Sequence, residues 1–251
     1  MWTKRSAWQL IRGVGVIVEK DIRIYYIKAP VLIFGFLFPV FMFLAFYLGR
    51  KINFYALYPG FLAMFLFFLT SSVGPLITPW EKQTGTYERL LSFPINVNTI
   101  IWGDILAGMI FGIIINIVIL AAGLLFIKYN INILILIAGY LAGALCFSSL
   151  GVLLSSPSAK NPSNIMMLSS LIRFPLIFIS GIFIPLEELR GIGKFLSFFS
   201  PITYLVDIFN FSLKGKSHMH LILDFLVLLV FSGLFIFLAS KLHKRNLMKG
   251  L

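Results

Sequence analysis

The sequence predicts an all-α integral membrane fold with six transmembrane helices, and three observations support this prediction. Hydrophobic residues make up 59% of the 251 residues, and the mean hydropathy is +0.98. A soluble domain of this composition would expose too much apolar surface to remain monomeric. Six apolar runs reach about 20 residues, the length that a helix needs to cross the hydrocarbon core. Lys and Arg residues also gather on one side of the resulting topology.

The six predicted spans are separated by short polar segments. They lie at approximately residues 30–48, 54–79, 104–127, 131–155, 163–184 and 220–240. An even number of spans puts both termini on one side, which is predicted to be the cytoplasm because most of the 21 Lys and Arg residues then face it. The net charge of +12 is therefore interpreted as a topology signal and as attraction to anionic headgroups, and nucleic-acid binding is not expected.

Residues 1–29 are predicted to form an amphipathic helix in the inner membrane interface. Apolar and small residues recur at three- and four-residue spacing along one face: Trp8, Ile11, Gly15, Val18, Ile22 and Tyr25. Charged residues project from another face: Arg5, Arg12, Glu19 and Arg23. Such a helix lies flat in the interface, with Trp8 and Tyr25 at headgroup depth. The alternative interpretation is a loose basic tail.

A charged stretch, EKQTGTYERLLSFP at residues 81–94, follows the second span. Gly85 can adopt the left-handed conformation that ends one helix, and Thr86 can cap the next. Glu88 then falls in the first turn, where the helix dipole favours an acid, and Pro94 ends the element. The stretch therefore predicts a short helix parallel to the membrane on the cytoplasmic side. A solvated turn with ordinary charge pairs is the alternative.

The apolar stretch at residues 195–213 is not predicted to be a seventh span, because Pro201 and Asp207 interrupt it. We expect a re-entrant hairpin at about residues 185–213, between the fifth and sixth spans. Residues 30–251 then form one transmembrane domain, with an inner loop at about residues 80–103.

Residues with catalytic or metal-binding chemistry are scattered along the chain. The run Gly-Lys-Ser at 215–217 is similar to the end of a phosphate-binding loop, but Asn210 stands where that motif needs its first Gly. His218 and His220 form a weak metal pattern, and the nine acids show no spacing typical of metal or acid–base sites. We therefore expect no catalytic residue, no metal site and no cofactor bound by this chain. The single cysteine, Cys146, is interpreted as a packing residue.

Two motifs resemble those of the permease subunits of ABC-2 type transporters. The first is the pattern Glu-x-x-x-Gly-Thr-x-Glu-x-Leu-Leu-x-x-Pro at residues 81–94. The second is Ser-Gly-x-x-x-Pro at residues 180–185, followed by an acid-bearing turn and by Ser-Pro-x-Thr-Tyr at residues 200–204. This second block is similar to the drug and antibiotic exporters of the family. The resemblance covers essentially the whole chain and departs from the family at residues 190–193.

The resemblance implies a permease homodimer in the cell membrane that works with two copies of a separate ABC ATPase, which holds ATP and Mg²⁺. It implies export of an amphipathic or lipid-like substrate out of the cell or to the outer leaflet. The inner loop would form the coupling helices that contact the ATPase. The residues assigned to this contact are Glu81, Gly85, Thr86, Glu88 and Arg89.

Three residues of the fifth span are candidates for the transport path, namely Arg173, Gly181 and Pro185. Arg173 lies about 10 residues into the span, where a charge costs at least about 2.5 kcal/mol. It either meets an anionic substrate group or is satisfied within the protein, by snorkelling or by pairing with a carbonyl. A secondary transporter or channel without an ATPase is the alternative function, and a membrane enzyme is the less favoured one.

Overall fold

The computed structural model describes residues 7–26, 28–49, 54–93, 95–157, 162–183 and 191–248. Helices and short turns make up these residues, and none of them is in a β-strand. The elements in chain order are α1 (Ala7–Ile24), α2 (Ala29–Leu32), α3 (Phe38–Gly49), α4 (Phe54–Ser71), α5 (Gly74–Gln83), α6 (Thr86–Ser92), α7 (Val97–Leu124), α8 (Ile133–Leu154), α9 (Pro162–Phe178), α10 (Ile192–Ser197), α11 (Pro201–Lys214) and α12 (Leu221–Met248). A π-helical turn, Ile33–Leu37, joins α2 to α3.

In the described part of the chain, five helical segments are long and apolar enough to cross a membrane: Ala29–Leu48, Phe54–Gln83, Val97–Leu124, Ile133–Leu154 and Leu221–Asn246. The predicted count of six is not confirmed, because the remaining candidate, α9, has 17 residues. At 1.5 Å per residue, α9 is about 26 Å long, somewhat less than the hydrocarbon core of about 30 Å. It ends before Gly181, whose φ of 79° turns the chain out of helical geometry.

The second span consists of two helices that meet at a break at Ser72 and Val73. It is buried from Tyr58 to Pro79 by the surrounding helices, whereas Tyr55 and Ala56 near its start are exposed. Below the break, Gly74 approaches the backbone of α8 so closely that a Cβ atom there would lie 2.4 Å from the carbonyl carbon of Gly151. The α5 helix is therefore held against α8 by direct backbone contact.

The helix α1 agrees with the predicted amphipathic element in position, but its packing differs from the prediction. Ile17 fits against Gly103 of α7, where a Cβ atom would lie 2.3 Å from it. Tyr25 is buried and stacks on Trp80 of α5, with the ring centroids 6.2 Å apart, so it does not lie at the exposed headgroup depth expected for it. Ile11 is exposed, which leaves it available to the lipid interface. The side chain of Trp8 lies outside the described residues.

The predicted hairpin corresponds in part to α10 and α11, which form a helix–turn–helix between α9 and α12. Pro201 opens α11 at a position where its missing N–H costs nothing. Most of α11 is buried, and it packs against α4, α8 and α12. Re-entry into the membrane from the outer side stays a prediction, and residues 184–190 lie outside the described part of the chain.

Candidate functional site

The charged stretch at residues 81–94 folds as an elbow of two helices, α5 and α6. Gly85 has φ of 70° and forms the N-cap of α6, as the prediction of a left-handed glycine requires. The predicted cap at Thr86 is wrong by one position, because Thr86 is already the first helical residue. Its hydroxyl instead lies 2.9 Å from that of Thr84, which links the two arms of the elbow.

One face of α6 is anchored in the protein and the other is exposed. Tyr87 is buried in a small apolar cluster with Ile17 of α1 and Ile100 of α7. Glu88 and Arg89 project from the opposite side and are exposed. A short helix fixed through one side chain, with charges on its outer face, has the geometry of a contact surface for another molecule.

Glu81, which the sequence groups with this surface, has its side chain inside the protein. It is completely buried and forms an ion pair with Lys20 of α1. The hydroxyl of Tyr25 also lies beside the Glu81 carboxylate. Glu81 therefore ties α5 to α1, and the outer face of the elbow is formed by other residues.

The ion pair belongs to a larger buried charge cluster, defined here as Lys20, Asp21, Glu81 and Asp104. Lys20 Nζ lies 2.9 Å from Asp21 Oδ1, within ion-pair distance but without hydrogen-bond geometry. The Asp104 carboxyl lies next to that of Asp21. All three acids are almost completely buried, whereas the Lys20 side chain keeps 16% of its surface exposed.

The pKa values of Asp21 and Lys20 on α1 are shifted by burial and by the neighbouring charges. Burial raises the pKa of Asp21, and its contact with Lys20 offsets that rise only in part. Burial alone would lower the pKa of Lys20, but the surrounding carboxylates, Asp21 first among them, outweigh it and raise the pKa. The cluster therefore favours a charged lysine and disfavours full ionisation of its acids.

The sequence did not identify Lys20, Asp21 or Asp104 as members of a buried cluster, although the position of Asp21 in α1 was a signal. Asp21 lies four residues after Ile17 and four before Tyr25, which puts it on the packed face of α1 and not among the exposed charges. Asp104 is the first residue of the predicted third span at 104–127, where it is well placed to cap the helix. The structure begins α7 at Val97, so Asp104 lies two turns into the helix and is buried.

Aromatic rings contact Lys28 in the chain between α1 and α2. Lys28 Nζ lies 3.8 Å from the centroid of the Trp80 ring and 5.1 Å from that of Tyr25. A cation over the face of Trp is attracted by the ring quadrupole. This contact fastens the end of the α1 segment to α5, next to the charge cluster.

The candidate residues for a transport path lie in different surroundings. Arg173 is 1% exposed, and its Nη1 donates to Ser72 Oγ at 2.9 Å, at the break in the second span. Its Nε also donates to the carbonyl of Ser169, so these contacts are those expected for an arginine satisfied within the protein. Gly181 lines a cavity of about 60 Å³ that Asp207 also borders. Pro185 lies outside the described residues.

The segments that resembled catalytic or metal motifs have structural roles in the described part of the chain. Gly215, with φ of 68°, ends α11, so the Gly-Lys-Ser run is a helix end followed by a loop. Asp207 accepts hydrogen bonds from the backbone N–H groups of His218 and Met219, which fixes that loop. No group of three or more potential metal ligands occurs among the described residues.

Comparison with known proteins agrees with this architecture. The family model of the ABC-2 type transporter matches residues 13–214. The inner membrane transport permease YadH of Escherichia coli K12, E. coli O157:H7 and Shigella flexneri is 28% identical over 159 residues. That alignment covers 63% of this chain and 62% of each relative's length. Because the family match extends over most of the sequence, including the elbow and the charge cluster, the chain belongs to the ABC-2 type transporter family.

Proposed function

We propose that this chain is the transmembrane permease subunit of an ATP-driven ABC exporter. The observation that carries the proposal is the geometry of α6, which is anchored through Tyr87 and presents Glu88 and Arg89 outward. A separate ATPase subunit binds this face of α6, and Gly85 and Thr86 form the bend between α5 and α6. Family membership supports the same role, since the family match includes this segment.

Coupling then follows the contacts of the elbow. Displacement of α6 acts through Tyr87 on α1 and α7, and through the bend at Gly85 on α5. Because the Lys20–Glu81 ion pair joins α5 to α1, the two helices move together. ATP binding drives the change only through contacts that differ between the two states of the partner, and the exposed charges of α6 supply such contacts.

The substrate is an amphipathic or lipid-like molecule that moves out of the cell or to the outer leaflet. The similarity of residues 180–204 to drug and antibiotic exporters supports this class. A wholly apolar groove of about 260 Å³, with Phe36, Phe43 and Phe65 among its walls, lies between the first, second and third spans. Such a groove accepts aliphatic or aromatic groups and rejects polar ones.

The assembly is a homodimer of permeases with two ATPase subunits, and both permease termini lie in the cytoplasm. The first and last spans support dimerisation, because each leaves most of its surface outside the protomer core. The excess of Lys and Arg on the predicted inner side supports the orientation. ATP and Mg²⁺ are bound by the partner subunits.

The proposal is tested by charge reversal on the outer face of α6. The permease is purified from its native membranes, and Glu88→Lys is expected to reduce both the recovery of an ABC ATPase subunit with it and the ATP hydrolysis of the purified complex. Glu19→Lys is the matched control, since Glu19 is an exposed acid on α1. Wild-type recovery and hydrolysis in Glu88→Lys contradict the proposal. Transport by the permease alone supports a secondary transporter instead.

A further inference from the structure

The buried charge cluster has more acids than bases. Among the described residues, Lys20 is the one base that forms ion pairs with Asp21 and Glu81. Asp104 contributes a third carboxyl without adding a base. If every group were ionised, the cluster would hold an uncompensated charge of two negatives in a buried site. Uncompensated buried ions cost several kcal/mol each, so such a state is strongly disfavoured.

Hydrogen bonding does not compensate this charge. Four carboxylate oxygens of the cluster are buried without a hydrogen-bond donor: both oxygens of Asp21, Oε2 of Glu81 and Oδ1 of Asp104. The titratable and charged groups that face the acids are Lys20 from α1, Tyr25 and Tyr26 directly after α1, Glu81 from α5, Tyr87 from α6 and Asp104 from α7. The tyrosines are neutral donors and add no positive charge.

The arrangement of Asp21 and Asp104 indicates what the cluster binds. The two carboxyl groups are neighbours, both are buried, and Lys20 is engaged with Glu81 and with one oxygen of Asp21. Two adjacent carboxylates that cannot both ionise hold one proton between them. A proton also fits where the described residues offer no set of ligands for a metal ion.

We propose that Asp21 and Asp104 bind one shared proton, and that this proton keeps α1 packed against α5 and α7. The proton supplies the missing donor between the two carboxyl groups and removes one of the two excess negative charges. The remaining charge is distributed over three acids that face one lysine. No partner subunit is needed for this binding, so the proposal is independent of the exporter function.

Loss of the proton has a definite structural consequence. Deprotonation restores repulsion between Asp21 on α1 and Asp104 on α7, across the interface that Ile17 and Gly103 close. The apolar contacts of Ile17 and Tyr87 then oppose a charge repulsion that they do not experience in the protonated state. Rising pH therefore favours separation of α1 from α7. The same helix carries Lys20, which forms the ion pair with Glu81 of the elbow.

Infrared spectroscopy of the purified full-length chain in lipid nanodiscs tests the shared proton directly. The carbonyl stretch of a protonated carboxyl group is recorded between pH 5 and pH 10. All proteins carry Asp224→Asn, because Asp224 is also a completely buried carboxyl group and would add a band of its own. In this background we expect the otherwise wild-type chain to show a band that disappears as pH rises, and Asp21→Asn and Asp104→Asn each to lose that band. The double variant loses no more than either single one, because one proton is shared. Glu19→Gln keeps the band, since Glu19 is exposed.

The packing of α1 is measured on the same preparation. Spin labels at the exposed positions Val16 and Ile110 report the distance between α1 and α7 in a Cys146→Ala background. We expect a longer distance population to grow with the same midpoint as the loss of the infrared band. Asp104→Asn removes this pH dependence.

Several results overturn the proposal. They are a band that persists in both single variants, two independent bands for Asp21 and Asp104, or no such band in the wild type at pH 5. Different pH midpoints for the loss of the infrared band and for the distance change overturn the claim that the proton keeps α1 packed. This comparison uses the wild-type acids, so it can be made even if an Asn variant fails to fold. Because these measurements use the permease alone, their failure leaves the Glu88→Lys test of the exporter function unaffected.

Discussion

Replacing Lys20 by Met removes the base that faces the buried acids while keeping most of the side-chain volume. The substitution leaves Glu81 and Asp21 without their ion-pair partner. Breaking a buried ion pair by removing one member costs about 3–5 kcal/mol. For a chain of this length, each kcal/mol lowers the melting temperature by about 2–4 °C, so the expected decrease is about 6–20 °C.

The same helix offers a matched control. Arg23 and Glu19 form an i,i+4 ion pair at 2.8 Å whose side chains are 77% and 62% exposed. Exposed helical pairs of this kind contribute about 0.3–0.5 kcal/mol. Arg23→Met removes one positive charge from α1, as Lys20→Met does, but is expected to shift the melting temperature by about 2 °C or less.

The measurement is thermal unfolding of the three purified proteins in one detergent at pH 7 and pH 5. The Lys20→Met loss should become smaller at pH 5, because the acids then take up protons in place of the missing lysine. Adding Glu81→Gln to Lys20→Met should restore part of the stability, since one unpaired carboxylate is removed. Equal shifts for Lys20→Met and Arg23→Met would refute the assignment of a buried cluster.

Three further predictions concern helix packing, the loop before α12 and pH. Gly74→Ala places a Cβ atom 2.4 Å from the α8 backbone, so we expect a loss of about 1–3 kcal/mol in thermal unfolding, whereas Gly233→Ala, which has open space, should be neutral or stabilising. Asp207→Ala removes the acceptor of two backbone N–H groups and should speed hydrogen exchange in the loop before α12, without changing exchange in α1. Burial raises the pKa of Asp21 above its ordinary value of 3.8, so the folded chain binds more protons than the unfolded chain. Its contribution to stability is present below pH 3.8 and is lost as pH rises through the folded pKa; Asp21→Asn should flatten this dependence in unfolding measured from pH 4 to pH 9.

Much of the helical architecture follows from local sequence patterns. Long apolar runs gave five of the predicted spans to within several residues, because length and hydropathy are properties of the segment itself. The bend at Gly85 was also predictable, since a glycine between two short helical patterns is typical of a left-handed residue. The shorter length of α9 was harder to predict from the sequence, because the end of this helix depends on the backbone conformation at Gly181 and not on composition.

The buried charge cluster depends on contacts between segments distant in sequence. Lys20 and Glu81 are 61 residues apart, and each looks like an ordinary charge near a membrane surface when its own segment is considered. The sequence assigned one apolar face of α1 to the membrane interface, but Tyr25 of that face is buried against Trp80, whereas Ile11 is exposed. Two adjacent faces of an amphipathic helix are distinguished only when the helix that it packs against is known.

The enclosure of most of the second span has a consequence for how the protein responds to its bilayer. Mismatch between hydrophobic length and membrane thickness acts on helices that contact lipid. The first and last spans leave most of their surface outside the protomer, whereas the second is surrounded by protein from Tyr58 to Pro79. Changes in lipid chain length should therefore tilt the peripheral helices while leaving the elbow at Gly85 in place.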